Sequence, residues 1–119
     1  MKKSQKGLSD ITAEEFKAWV FGIWDFRGES SMRVGHQAPF PRELPRRCIK
    51  LFSYVGDTIL DPFVRSGTTI IEAINHQRTA LGIELESHYC TLVQKRIEKE
   101  CRLKLEKRQD RSIKNFWQA

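Results

Sequence analysis

Apolar positions recur along this chain with two different periods, and each period predicts a different element. Thr58-Ile59-Leu60 and Ala80-Leu81-Gly82-Ile83 are short apolar runs that predict buried strands, over residues 58–63 and 80–84. Between them, Ile70 to His76 reads as a helix. Tyr89, Leu92, Val93, Ile97 and Cys101 recur at three- and four-residue steps, which predicts a helix from Glu86 or Ser87 running past Glu106. A further stripe, Leu44, Cys48, Leu51 and Phe52, predicts a helix over about 42–52, with Pro45 tolerated in its first turn. Near the start, Thr12 followed three residues later by Glu15 forms a capping box, so a short helix through Phe16 and Trp19 is expected. Residues 20–26 read as strand-like, with large apolar residues at 19, 21, 24 and 26. Residues 27–35 read as a loop.

Prolines at 39, 41 and 45 make the segment His36 to Pro45 stiff and extended, because proline fixes φ and disfavours helix just before it. Residues 1–10 are polar, without period, and are expected to be disordered. The pattern divides the chain into that basic N-terminus (1–10), an α/β body (11–106) and a basic tail (107–119). With 39% hydrophobic and 30% charged residues the composition is that of one small globular domain. No apolar run approaches the roughly 18 residues that span a bilayer, and no secretory signal is recognisable, so no membrane association is expected. Three cysteines without a CxxC pair fit free thiols in a reducing cytoplasm. The histidines do not cluster with them, so no metal is expected.

Charge changes the picture at one end only. The chain carries +6, and residues 94–119 hold nine Lys/Arg against four Asp/Glu. A basic segment of this kind can contact a phosphate backbone, although a solvated helical face laced by pairs such as Glu98–Arg102 accounts for it equally well.

The most informative stretch is Asp61-Pro62-Phe63-Val64-Arg65-Ser66-Gly67-Thr68-Thr69, a loop of small residues between strand and helix. Nucleotide-like cofactors bind beyond the carboxyl ends of strands in open α/β sheets. Glu84 ends the next strand, seventeen residues after Gly67. An acidic residue about twenty positions beyond such a loop can hold ribose hydroxyls. A ribose diol offers two donors and a carboxylate two acceptors. Glycine at 67 allows close approach of backbone to ligand, and the helix N-terminus at Thr68 favours a ligand carboxylate. Taken singly, Asp61 also reads as a strand end, Glu84 as a helix cap and Phe40 as core.

Three linked segments, His36-Gln37-Ala38-Pro39-Phe40-Pro41, then Asp61 to Thr69, then Gly82-Ile83-Glu84, give the chain a family resemblance. In this order it resembles, over about residues 16–97, the S-adenosylmethionine-dependent DNA methyltransferases that modify the exocyclic amine of adenine (N6) or cytosine (N4), in a permuted arrangement. The resemblance implies a partial Rossmann-like methyltransferase domain, a mainly parallel sheet with flanking helices. It implies S-adenosyl-L-methionine as cofactor and double-stranded DNA as partner. It places Asp61, Phe63, Ser66, Gly67 and Thr68 around the methionine and ribose portions, Phe40 and Pro41 beside the methionine moiety, and Glu84 on the ribose hydroxyls.

Two departures stand out. Arg65 occupies a position where the family has glycine; a site needing φ > 0 penalises side chains, so weaker cofactor binding is expected. The family's catalytic Asp/Ser/Asn-Pro-Pro-Tyr/Phe tetrapeptide is absent, and no Pro-Pro occurs anywhere in the chain. No catalytic residue is therefore assigned. Two parallel strands alone leave unpaired edges and uncovered apolar surface, so a second chain carrying the catalytic half, or self-association, is expected to complete the sheet. Trp19, Phe21, Trp24 and Phe26 are candidates for that contact, or else fill the small core. The competing function is a non-catalytic remnant that binds nucleic acid or a partner. A dinucleotide-binding fragment fits less well, because no GxGxxG follows the strand.

Overall fold

The structure is a computed structural model that describes residues 7–25, 41–101, 106–108 and 116–118. In chain order the elements are α1 (Ala13–Val20), α2 (Glu43–Phe52), β1 (Thr58–Asp61), α3 (Thr68–Asn75), β2 (Thr79–Ile83), α4 (Ser87–Cys101), β3 (Glu106–Arg108) and β4 (Phe116–Gln118). The strands form one sheet in the order β1-β2-β4-β3. β1 and β2 run parallel, with Ile59 opposite Ala80 and Asp61 opposite Gly82. β4 pairs antiparallel with both β2 and β3. The sheet is thus mixed rather than mainly parallel, and its parallel part is the β1–α3–β2 unit.

That unit is built tightly. α3 buries Thr68, Ile70, Ile71, Glu72 and Ala73, and the core gathers Ile49, Val64, Ile70, Ile71, Ala73, Ala80, Val93 and Ile97. Gly82 lets α3 lie close on β2, since a Cβ there would collide with Ile70 and Val64. β1 ends the sheet, so one of its edges is unpaired among the described residues. Leu60 (56% exposed), Phe63 (79%) and Phe52 (84%) leave apolar surface open nearby.

Several expectations are corrected. Residues 21–25 form no strand: α1 ends at Val20, Gly22 takes φ +93°, and the Trp24 indole N–H turns back to the Trp19 carbonyl at 2.8 Å. Trp19 is buried against α2, with the cationic groups of Arg46, Arg47 and Lys50 lying 5.3–5.8 Å from its ring centre. Glu15 adds ion pairs to Lys50 and Arg46. Phe21 remains exposed, and Phe26 lies outside the described residues, as does the loop expected at 27–35. The last helix stops at Cys101, and Glu106 starts a strand instead of continuing it. β3 and β4 fall largely within the stretch expected to be a tail; pairing with β2 recruits them. Leu8 bridges Val55, and Asp10 pairs with Arg78, so residues 8–10 are ordered by contacts far along the chain. Residues 1–6 lie outside the described part.

Arg78 explains that ordering. Its side chain is fully buried and donates to both Asp10 oxygens at 2.7 and 2.9 Å, to Ser53 Oγ, and to the carbonyls of Ser53 and His76. A buried guanidinium is tolerable only when its donors are satisfied. The capping box is present as expected, with Thr12 Oγ1 accepting from the Glu15 amide and Glu15 Oε2 from the Thr12 amide, both at 3.1 Å. In α2 the inward positions are Pro45 and Ile49, whereas Phe52 of the expected stripe faces out.

Candidate cofactor site

The loop after β1 is held by backbone contacts to the end of β2. The Val64 amide donates to the Ile83 carbonyl at 3.1 Å, and the Gly67 amide closes a turn onto the Val64 carbonyl at 2.9 Å. Glu84 sits immediately beyond β2 and is 8% exposed. Its carboxylate receives one backbone N–H on each oxygen, from Arg65 to Oε2 at 2.8 Å and from Glu86 to Oε1 at 3.1 Å. Glu84 therefore clamps the loop directly. Each carboxylate oxygen retains a further acceptor site.

Asp61 ends β1 and accepts the Phe63 amide at 3.0 Å. Burial pushes its carboxyl above the ordinary range; hydrogen bonds from Phe63 and Thr69 oppose the shift, and the nearby Glu84 charge adds to it. Asp61, at the end of β1, and Glu84, just past β2, thus lie beyond neighbouring parallel strands, close enough for the Glu84 charge to act on Asp61. The loop between them leads into the N-terminus of α3 at Thr68.

The remaining predicted residues divide. Gly67 has φ +80° and is the N-cap of α3. A Cβ on it would meet Val93 Cγ1 at 2.9 Å, so packing against α4 requires glycine there as well as the backbone angle. Ser66 and Thr68 are buried, and their hydroxyls lie 3.2 Å apart. Thr68 Oγ1 also accepts from Arg96 at 3.0 Å, so both hydroxyls are engaged inside the protein. Phe63 is exposed beside the site. Arg65 adopts φ +48°, the left-handed region that favours glycine, and its side chain is exposed. Pro41 is half-buried just before α2, and its neighbour Arg42 pairs with Glu72 of α3 at 2.7 Å. Phe40 lies outside the described residues.

The sequence reading missed the charged groups behind the loop. Arg96, Glu100, Arg42 and Glu72 link α4, the start of α2 and α3. Two signals were local: Arg96 stands, with Ile97, where the family resemblance has them, and Glu100 follows Arg96 at four residues. A separate apolar groove of about 390 Å³, lined by Leu44, Pro45, Cys48, Ile49, Phe52 and Ile59 among others, opens between α2 and β1.

β1, its loop, α3 and β2 form a parallel β–α–β unit with a carboxylate at the end of each strand. Residues 1–95 match the family of N6/N4 DNA methylases, and the chain belongs to that family. It is 37% identical over 92 residues to the type II methyltransferase M.MjaI of Methanocaldococcus jannaschii, covering 75% of this chain and 30% of that protein. It is 40% identical over 89 residues to M.BglI of Bacillus subtilis, covering 74% and 25%. Among solved structures it resembles TTHA0409 of Thermus thermophilus, assigned as a DNA modification methylase and crystallised with S-adenosyl-L-methionine. There the TM-score is 0.65 at 39% identity, covering 77% of this chain and 35% of that one. The chain spans about a third or less of the length of these relatives. No helix among the described residues is long and apolar enough to cross a membrane.

Proposed function

We propose that this chain is the S-adenosyl-L-methionine-binding portion of a DNA amino-methyltransferase, acting on adenine N6 or cytosine N4 of double-stranded DNA. A complementary part carrying the tetrapeptide that these 119 residues lack completes the sheet and the active centre. The observation that carries the reading is the juxtaposition of Asp61 and Glu84 around the loop. Burial and the nearby Glu84 charge raise the Asp61 pKa, and a partner that donates hydrogen bonds and carries positive charge would lower it again. A ligand with two ribose hydroxyls and cationic amino and sulfonium groups offers both. The donor set fits the cofactor on chemical grounds, and the structural likeness to a protein crystallised with it adds support.

In this reading Glu84 accepts from the ribose hydroxyls with the sites its two amide partners leave open. Asp61 faces the cationic part. Gly67 and Thr68 present backbone at the positive end of α3. The exposed Phe63 offers apolar cover, and Phe40 and Pro41 keep the role beside the methionine moiety that the family resemblance implies. The bound cofactor supplies an electrophilic methyl group. This chain's residues bind and orient it, and the base-receiving groups come from the complementary part, because the target amine must leave the duplex to be reached.

The test is a calorimetric titration of the chain with S-adenosylmethionine, repeated on Glu84→Ala after circular dichroism confirms that the variant is folded. Micromolar binding that the substitution weakens supports the reading. Absence of heat at millimolar cofactor refutes it and leaves the non-catalytic remnant as the function.

A further inference from the structure

Arg96 of α4 reaches the cofactor loop from behind. Its Nη1 donates to the Ser66 carbonyl and to Thr68 Oγ1, both at 3.0 Å, which brackets Gly67 on either side. Its Nε donates to Glu100 Oε1 at 3.0 Å. The other oxygen of Glu100 accepts from Arg42 Nη1 at 3.1 Å, and Arg42 Nε donates to Glu72 Oε1 at 2.7 Å. Four charged side chains of alternating sign therefore run without a break from the loop through Arg42, the residue after Pro41, to Glu72 of α3.

We propose that Arg96 and Glu100 are positioning residues of the candidate site, and that the chain Arg96–Glu100–Arg42–Glu72 holds loop 66–68 and the Pro41–Arg42 segment as one unit. The ligand's identity rests on the function proposed above; the mechanical link does not. Gly67, the N-cap of α3, has no side chain to hold the helix start, so Arg96 takes over part of that duty. The Ser66 carbonyl and the Thr68 hydroxyl, in a residue only 1% exposed, lose this charged donor if Arg96 goes. An unpaired buried acceptor is costly, so the loop must shift to find another partner. The geometry requires a planar fork that serves the loop with one nitrogen and Glu100 with another. A lysine ammonium cannot reproduce it. Among the described residues the hydrogen-bond partners of Glu100 are Arg96 and Arg42. The shortest path from Glu100 to the loop runs through Arg96, and a longer one runs through Arg42 and Glu72 of α3.

Arg96→Lys and Glu100→Gln test the link, with Ile97→Val as a control. Ile97 is the buried neighbour of Arg96 on α4, and its truncation removes one buried methyl group without touching a polar contact. The first readout is amide hydrogen exchange, which needs no ligand. In Arg96→Lys and Glu100→Gln, the Gly67 and Ile71 amides, bonded to the Val64 and Gly67 carbonyls, should exchange at least about tenfold faster. The Arg78 amide, bonded to the Ala73 carbonyl at the far end of α3, should be unchanged relative to the Ile97→Val control. The second readout is S-adenosylmethionine affinity, expected to fall about tenfold in Arg96→Lys and to hold in Ile97→Val. If loop exchange in both charge variants matches that of Ile97→Val, the positioning role is overturned. If the unmodified chain binds no cofactor while loop exchange still responds to Arg96→Lys, the link stands and the methyltransferase reading fails.

Discussion

Glu84→Gln separates the loop-clamping role of this residue from mere acidity. The glutamine fits the same space, but one of its two terminal atoms is now an NH₂ group. Glu84 Oε2 accepts from the Arg65 amide and Oε1 from the Glu86 amide. Whichever way the new amide is turned, its NH₂ confronts one of these two N–H donors. One hydrogen bond to a charged acceptor, worth about 1.5–3 kcal/mol, is lost, and a neutral one remains in place of the other. The Glu84 charge also stops opposing ionisation of Asp61, which returns a part of the loss. A net destabilisation of about 2 kcal/mol is expected, or roughly 8 °C in Tm for a domain of this size. Thermal unfolding followed by circular dichroism at pH 7 measures it. A Tm within about 2 °C of the parent would show that the carboxylate does not hold the loop.

Other variants probe the frame around the site. Asp61→Asn should stabilise the chain at neutral pH. The folded-state pKa of Asp61 is raised above its ordinary 3.8, so its contribution is present below that value and lost as pH rises through the folded pKa. The gain should therefore vanish near pH 3 and grow toward neutrality in denaturant melts, while cofactor affinity falls. Asp10→Ala leaves the buried Arg78 guanidinium without its carboxylate and should cost about 3 kcal/mol in urea unfolding. Because Arg78 lowers the pKa of Asp10, the stability this pair contributes is present above the ordinary carboxylate range and lost as pH falls through the folded pKa. Gly82→Ala places a methyl group against Ile70 and Val64 and should cost about 1–3 kcal/mol by the same assay.

What was legible in the sequence is what local chemistry determines. The run 58–75 specified strand, loop and helix because apolar positions, small residues and the helix start lie next to one another. Thr12 and Glu15 announced their helix for the same reason, and the place of Glu84, one residue past β2, followed from the apolar run before it. The failures are non-local. Nothing near residues 106–118 says that β2 will pair with them. Nothing near Asp10 announces Arg78, 68 residues away. Phe21 and Trp24 carry a strand-like pattern that Gly22 and the indole bond to Trp19 override. Within the site, sequence reading assigned Ser66 and Thr68 to the ligand; the structure turns their hydroxyls toward each other and Arg96. The arginine that organises them comes from a helix whose charges read as ordinary solvated pairs.

The claim on which the rest depends is that one ligand is gripped between the loop after β1 and the carboxylate beyond β2. Amide chemical shifts of the isotopically labelled chain, followed while S-adenosylmethionine is added, report where that ligand sits. The account predicts saturable shifts concentrated at residues 61–68 and 84–86. Shifts centred instead on the apolar groove at Leu44, Cys48 and Phe52, or none at millimolar cofactor, would contradict it.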